Sequence, residues 1–140
     1  MGIKVDDLMT EQVVTAEPHH AVDRVRGLLD RNHVSAVPIV DTEGHAVGIV
    51  SARDLRADVS GGTPVKKIMT EKVYTVPEYD DVSVAARVMR NHRIHRVVVT
   101  REQKIVGILS SFDLLKLVED RRFQVKNPPT RSERKGSKRE

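Results

Sequence analysis

The sequence predicts a mixed α/β (α+β) protein made of two β-α-β-β-α repeats packed pseudo-symmetrically through their sheets. Two observations point there. "LMTEQVVTAEP" (Leu8–Pro18) overlays "IMTEKVYTVPE" (Ile68–Glu78) at an offset of 60. "GIVSARDL" (Gly48–Leu55) overlays "GILSSFDL" (Gly107–Leu114) at an offset of 59. Such self-similarity marks a duplicated supersecondary unit. One copy is too small to bury a sheet well, whereas two packed together can form a common core.

Each copy shows the same order of elements. A leader ending in Met-Thr precedes a β segment, Val13–Ala16 or Val73–Val76, closed by Pro18 or Pro77. A helix follows, with Val22, Val25, Leu28 and Leu29 on one face, or Val82, Ala85, Ala86 and Met89. Asn32 and Asn91 are expected to end these helices. "AVPIV" and "VVV" are short continuous apolar runs and read as buried strands. Polar turns, "DTEGH" and "REQK", connect them to "AVGIV" and "IVGIL", which makes a β-hairpin in each copy. A second helix is expected over Arg53–Val59 and Phe112–Asp120, and "SGGTP" (Ser60–Pro64) is the linker. The expected organisation is residues 1–62 as the first repeat with its leader, 63–120 as the second, and 121–140 as a basic tail.

Composition sets the class. Hydrophobic content of 39% and charged content of 31% suit a globular protein. No apolar run reaches the roughly 18 residues of a membrane span, and the N-terminus lacks the apolar core of a secretory signal. With no cysteine, disulfides and thiolate metal sites are excluded. A cytoplasmic address is the expectation, with no membrane partner. The net charge of +4 hides an uneven distribution. Residues 121–140 hold eight basic and two acidic side chains, while the remaining 120 residues are close to neutral. Dense charge, paired prolines and one aromatic predict a disordered tail. It either solubilises the chain or serves as a basic arm for nucleic acid.

The element repeated as Gly48-Ile49-Val50-Ser51-Ala52-Arg53-Asp54 and Gly107-Ile108-Leu109-Ser110-Ser111-Phe112-Asp113 has two readings. A Ser at a strand-to-helix junction with an acid three residues on is a helix N-cap, which explains Ser and Asp with no ligand. It leaves Gly unexplained. The other reading is a nucleotide pocket: Gly admits close approach, Ser at a helix start meets phosphate, and the carboxylate accepts from ribose hydroxyls.

These features resemble the tandem CBS-domain pair, or Bateman module, over about 115 of the 140 residues. The resemblance implies a regulatory module that binds adenosyl ligands between the repeats. AMP, ADP, ATP and S-adenosylmethionine are the candidate regulatory ligands, with no required cofactor. It places ribose on Asp54 and Asp113 and phosphate on Ser51 and Ser110. It also implies adenine recognition by backbone around Thr15-Ala16 and Thr75-Val76, with Ile39 or Val98 walling the ring. A homodimer and an unknown protein target are further implications. "RNHRIHRV" is similar to the His-Arg segment of the γ regulatory subunit of AMP-activated protein kinase. That similarity gives His95 and Arg96, with Arg53, to phosphates in the Asp54 cleft. The Asp113 cleft faces uncharged Ser35-Ala36, and Phe112 replaces Arg53. It is expected to be empty or to take a less charged adenosyl compound. His92-Arg93 reads as solvated.

The six histidines suggest no metal site. His19 and His20 are adjacent and expected to point apart, and His92 and His95 have no acidic partner at a recognised spacing. No nucleophile elbow or Ser/His/Asp ordering is present, so the chain reads as a non-enzyme. The competing reading is a structural or interaction module in which Ser and Asp only cap helices.

Overall fold

A computed structural model describes residues 2–11, 13–55 and 58–119. The basic tail, residues 121–140, lies outside them. The first repeat contains α1 (Val5–Leu8), α2 (Val22–Asn32), β1 (Ala36–Val40) and β2 (Ala46–Ser51), ending in a 3-10 turn at Ala52–Asp54. A second 3-10 turn, Val65–Lys67, leads to β3 (Thr75–Pro77), α3 (Val82–His92), β4 (Arg96–Arg101) and β5 (Lys104–Ser110). Two short helices follow, α4 (Ser111–Leu114) and α5 (Lys116–Glu119).

Both expected hairpins form. β1 and β2 pair antiparallel with Ala36 opposite Ser51, and β4 and β5 with Arg96 opposite Ser110. The third strand differs between copies. β3 runs parallel to β4, with Val76 opposite Val99, whereas the first copy has only the single bridge Ala16–Ile39. The expected β segments Val13–Ala16 and Val73–Val76 are therefore paired only at their far ends.

The two long helices bury the predicted faces: Val22, Val25 and Leu29 on α2, and Val82, Ala85 and Met89 on α3. Their starts are secured differently. The Asp81 carboxylate caps α3 by accepting the Ser83 N–H at 2.9 Å. Ala21 has no polar side chain to offer α2; the Thr63 carbonyl accepts the Val22 N–H at 2.8 Å, as the Ile3 carbonyl accepts the Val82 N–H of α3 at 2.8 Å, and the Gly61 carbonyl accepts the Asp23 N–H at 3.0 Å. Of the helix expected over Arg53–Val59, the described residues show a 3-10 turn at Ala52–Asp54, while residues 56 and 57 lie outside them; the chain must be back at α2 by Gly61. The second copy continues from α4 into α5.

The leaders are exchanged. Val5 and Leu8 pack with Val76, Val97, Val99 and Leu109 of the second repeat, and Val65, Ile68 and Met69 pack with Val37, Ile39 and Val50 of the first. Backbone hydrogen bonds fix the exchange. Val5 N–H donates to the Asp80 carbonyl at 2.9 Å, and Val65 N–H to the His20 carbonyl at 2.8 Å. Thr10 bridges to Ile108 and Thr70 to Ile49. The described residues thus form two hydrophobic cores, each completed by the other copy's leader, rather than one common core.

The exchange also explains the glycine of the repeated motif. A Cβ at Gly107 would lie 2.6 Å from Met9 Sδ and 2.9 Å from the Thr10 carbonyl oxygen; one at Gly48 would lie 2.4 Å from Met69 Sδ. The group that approaches the strand closely is the leader methionine.

Gly107→Ala is expected to lower stability by about 1–3 kcal/mol through overpacking. In a denaturant double-mutant cycle, Met9→Ala should recover part of that loss. Two carboxyls make stability acid-sensitive. Hydrogen bonds from the Ser83 N–H and hydroxyl, then from Gly2 N–H, hold Asp81 well below the usual range. Arg101 grips both oxygens of the largely buried Glu78 and lowers it as well. Depressed carboxyls contribute stability that is complete above their unfolded values and lost as pH falls through the folded ones. The urea midpoint should therefore drop below about pH 4, and Glu78→Gln with Asp81→Asn should flatten that drop.

Candidate ligand-binding clefts

The chain between Thr10 on the β5 edge and Ala16 on the β1 edge must cross from the second repeat to the first, and residues 71–75 make the reverse crossing. Each crossing forms one wall of an open cleft between the repeats. Val13 and Val14 line a cleft of about 430 Å³ with Ser110 and Asp113. Val73 and Tyr74 line another of about 260 Å³ with Ser51 and Asp54.

The Ser-x-x-Asp turns are preorganised. Ser51 N–H and Oγ–H both donate to Asp54 Oδ2, at 2.9 and 3.1 Å. Ser110 N–H donates to Asp113 Oδ2 at 2.9 Å, while Asp113 N–H donates to Ser110 Oγ at 3.1 Å. Asp113 is buried and has Lys116 Nζ 3.7 Å from its other oxygen; Asp54 is half-buried. Capping thus operates in both turns. It leaves each carboxylate facing its cleft with further lone-pair capacity for hydroxyl donors.

The predicted site residues divide. Asp54, Ser51, Arg53, His95, Arg96 and Val98 come together in the smaller cleft, and Asp113 and Ser110 in the larger. Thr15-Ala16 and Thr75-Val76 lie outside both linings: the threonines are exposed, and Ala16 and Val76 are buried in strand pairing. The wall is built about two residues earlier, because the chain is still crossing there and has no strand neighbour. Ile39 is fully buried beneath the first hairpin, opposite Ala16, and lines neither cleft.

The smaller cleft is more basic than expected. Arg93, expected to be solvated, lines it from a left-handed conformation (φ 54°) at the end of α3, and Lys72 joins it from the crossing segment. His92 stacks on Tyr74 with ring centroids 4.0 Å apart, and Lys72 Nζ lies 5.9 Å from the same ring. His33, the counterpart of Arg93 with φ 53°, lines the larger cleft. These residues had a sequence signal in the doubled helix end at Asn32-His33 and His92-Arg93, which must reverse the chain directly beside the clefts.

Away from the clefts, Glu17, His19 and His20 offer three ligand atoms within 4.8 Å, as do Asp41, Glu43 and His45. The rings of His19 and His20 approach to 4.5 Å rather than pointing apart. His20 Nδ1 is taken by the Glu17 N–H at 2.9 Å, and burial, then Arg24, lowers the tendency of His20 to protonate.

The chain is thus a tandem pair of α/β units with a Ser-x-x-Asp turn at each inter-repeat cleft. Residues 5–61 and 65–120 each match the family model of the CBS domain, and the chain belongs to that family. Inosine-5'-monophosphate dehydrogenase of Halobacterium salinarum is 37% identical over 117 residues, which are 80% of this chain and 23% of that enzyme. The chain therefore spans about a quarter of the dehydrogenases it matches. A CBS domain-containing protein of Bacillus subtilis is 28% identical over 79% of this chain and 81% of its own length. Among solved structures, a CBS domain protein of Pyrobaculum aerophilum complexed with AMP is 30% identical, with a TM-score of 0.74 over 86% of this chain and 95% of that one. A CBS domain pair in complex with 5'-methylthioadenosine and S-adenosyl-L-methionine is 28% identical, with a TM-score of 0.74 over 82% and 94%.

Ser110→Ala removes the hydroxyl that accepts from Asp113 N–H and should cost roughly 0.5–2 kcal/mol in a denaturant titration. Ser51→Ala should cost less, because its hydroxyl meets the Asp54 carboxylate and accepts no helix N–H.

Proposed function

We propose that the chain is a regulatory sensor that binds adenosyl ligands in its inter-repeat clefts and passes the change in repeat pose to a partner protein. The observation that carries this is the pair of Ser-held carboxylates, each facing a cleft walled by a crossing segment. The AMP complex and the 5'-methylthioadenosine and S-adenosylmethionine complex of the structural relatives support it. A ligand that binds one pose better than another is what shifts the equilibrium.

The two clefts suit different members of that ligand class. Arg53, Lys72, Arg93 and Arg96 surround the Asp54 cleft with positive charge, which favours AMP, ADP or ATP. The Asp113 cleft is larger and has Arg96 as the single lysine or arginine among its described lining residues, which favours a less charged compound such as S-adenosylmethionine. The role is binding rather than catalysis. Ser111 Oγ and His95 Nδ1 are 3.4 Å apart, at the outer limit of hydrogen bonding. A homodimer belongs to the same proposal, with exposed Phe112, Leu115 and Val118 as its contact strip. So does a cytoplasmic setting. No helix among the described residues is long and apolar enough to cross a membrane. Nucleic-acid binding through residues 121–140 falls outside the described residues.

The second reading, a structural module in which Ser and Asp only cap helices, has the observed capping bonds in its favour. Calorimetric titration with AMP, ATP and S-adenosylmethionine separates the two. Asp54→Ala, and His95→Ala with Arg96→Ala, should weaken nucleotide binding about tenfold or more while the circular dichroism spectrum is retained. No binding of any of the three compounds to the unsubstituted chain would establish the structural reading, and unchanged affinity in an Asp54→Ala, Asp113→Ala double variant would remove the carboxylates from the site.

A further inference from the structure

We propose that the Arg96 guanidinium is a ligand shared by both clefts, and that this sharing makes them antagonistic toward anionic occupants. The inference rests on the ligand-sensing reading above and adds how the two sites regulate each other. Arg96 opens β4 at the boundary between the repeats and lines both clefts. The hairpin registers make Ala36 its counterpart, since Ala36 faces Ser51 as Arg96 faces Ser110. Ala36 also lines both clefts, so this position borders both by symmetry. Pseudo-symmetry provides two such positions, and only one carries a guanidinium.

That guanidinium is held toward one side. Its Nη2 donates to Ser35 Oγ at 3.1 Å across the repeat boundary, and Ser35 lines only the Asp113 cleft. The clefts also depend on it unequally. The Asp54 cleft has three other permanent cations on its lining, Arg53, Lys72 and Arg93. Among the described residues lining the Asp113 cleft, Arg96 is the only lysine or arginine, with His33 and His95 as its titratable company. Lys116 lies off that lining and pairs with Asp113.

A planar fork can grip one phosphate bidentately at a time. A phosphate in the Asp54 cleft draws Arg96 away from Ser35 and leaves the Asp113 cleft without its permanent charge. A phosphate in the Asp113 cleft takes Arg96 near where Ser35 already holds it, and leaves the other cleft three cations. Linkage makes the antagonism equal in both directions. An adenosyl ligand without phosphate makes no claim on the fork and escapes the coupling. The arrangement favours mixed occupancy: a nucleotide beside Asp54 and a phosphate-free adenosyl compound beside Asp113.

The test is calorimetric titration of the full chain with AMP and with adenosine. Asp113→Ala and Asp54→Ala supply the two single-site affinities. In the unsubstituted chain the second AMP should bind at least about fivefold more weakly than its single-site value, and adenosine should show no such penalty. Arg96→Ala should abolish the penalty, and Ser35→Ala should leave it in place. Should either Asp→Ala chain fail to fold, Asp113→Asn and Asp54→Asn, which keep the side-chain shape, supply the single-site values instead. Two AMP molecules binding independently, or a penalty that persists in Arg96→Ala, would overturn the shared-ligand proposal while leaving the sensing reading intact. No binding of AMP or adenosine to the unsubstituted chain would overturn both.

Discussion

The contact on which the rest depends is the seating of each leader methionine against a glycine of the other copy, Met9 on Gly107 and Met69 on Gly48. With the adjoining Thr10–Ile108 and Thr70–Ile49 bridges, it anchors a leader on the opposite hairpin. The chain must then cross back to reach its own repeat, and that crossing supplies the apolar wall of a cleft. Core completion and site construction are thus one event. A side chain at either glycine would push on the leader first and on the cleft wall next.

Upon this symmetric frame the two copies differ mainly in charge. Ser35-Ala36 stand where the second copy has His95-Arg96, and His33 stands where it has Arg93. Repeat symmetry puts each of these positions beside a cleft, so a change of side chain there alters what a cleft attracts without altering how the frame packs. Ser51 and Ser110 vary the same theme: one hydroxyl turns to a carboxylate and the other to a backbone N–H. The buried ladder beneath is nearly the same in both copies, with Val37, Ile39 and Val50 in one and Val97, Val99 and Leu109 in the other.

The duplication, the long helices and the hairpins were legible in the sequence because each rests on a local period or a local turn. The destination of the leaders was not. "LMT" and "IMT" are alike, and both cores are valine-rich, so pattern alone does not say which hairpin receives which leader. From that one gap follow the two-residue offset between Thr15-Ala16 and Thr75-Val76 and the crossing residues that line the clefts, and the explanation of Gly48 and Gly107 by ligand approach. The short turn after Ser51 was hidden for another reason. The chain after it must bring Gly61 and Thr63 back to α2, a demand that arises more than thirty residues earlier in the chain. The Ser-x-x-Asp turns were readable, because capping and carboxylate presentation are both local.

The exchange of leaders also bears on the order in which the chain folds. Val5 and Leu8 are made well before their partners Val97, Val99 and Leu109, some ninety residues downstream. Closing so long a loop carries an entropy that local hairpins and helices do not, and synthesis proceeds from the N-terminus. The first repeat can therefore gain its hairpin and α2, and then its borrowed Val65 and Met69, while the first leader is still unplaced. The return of that leader has to await the second hairpin. It closes the two repeats into a ring of mutual dependence, and only then do both clefts have their second wall.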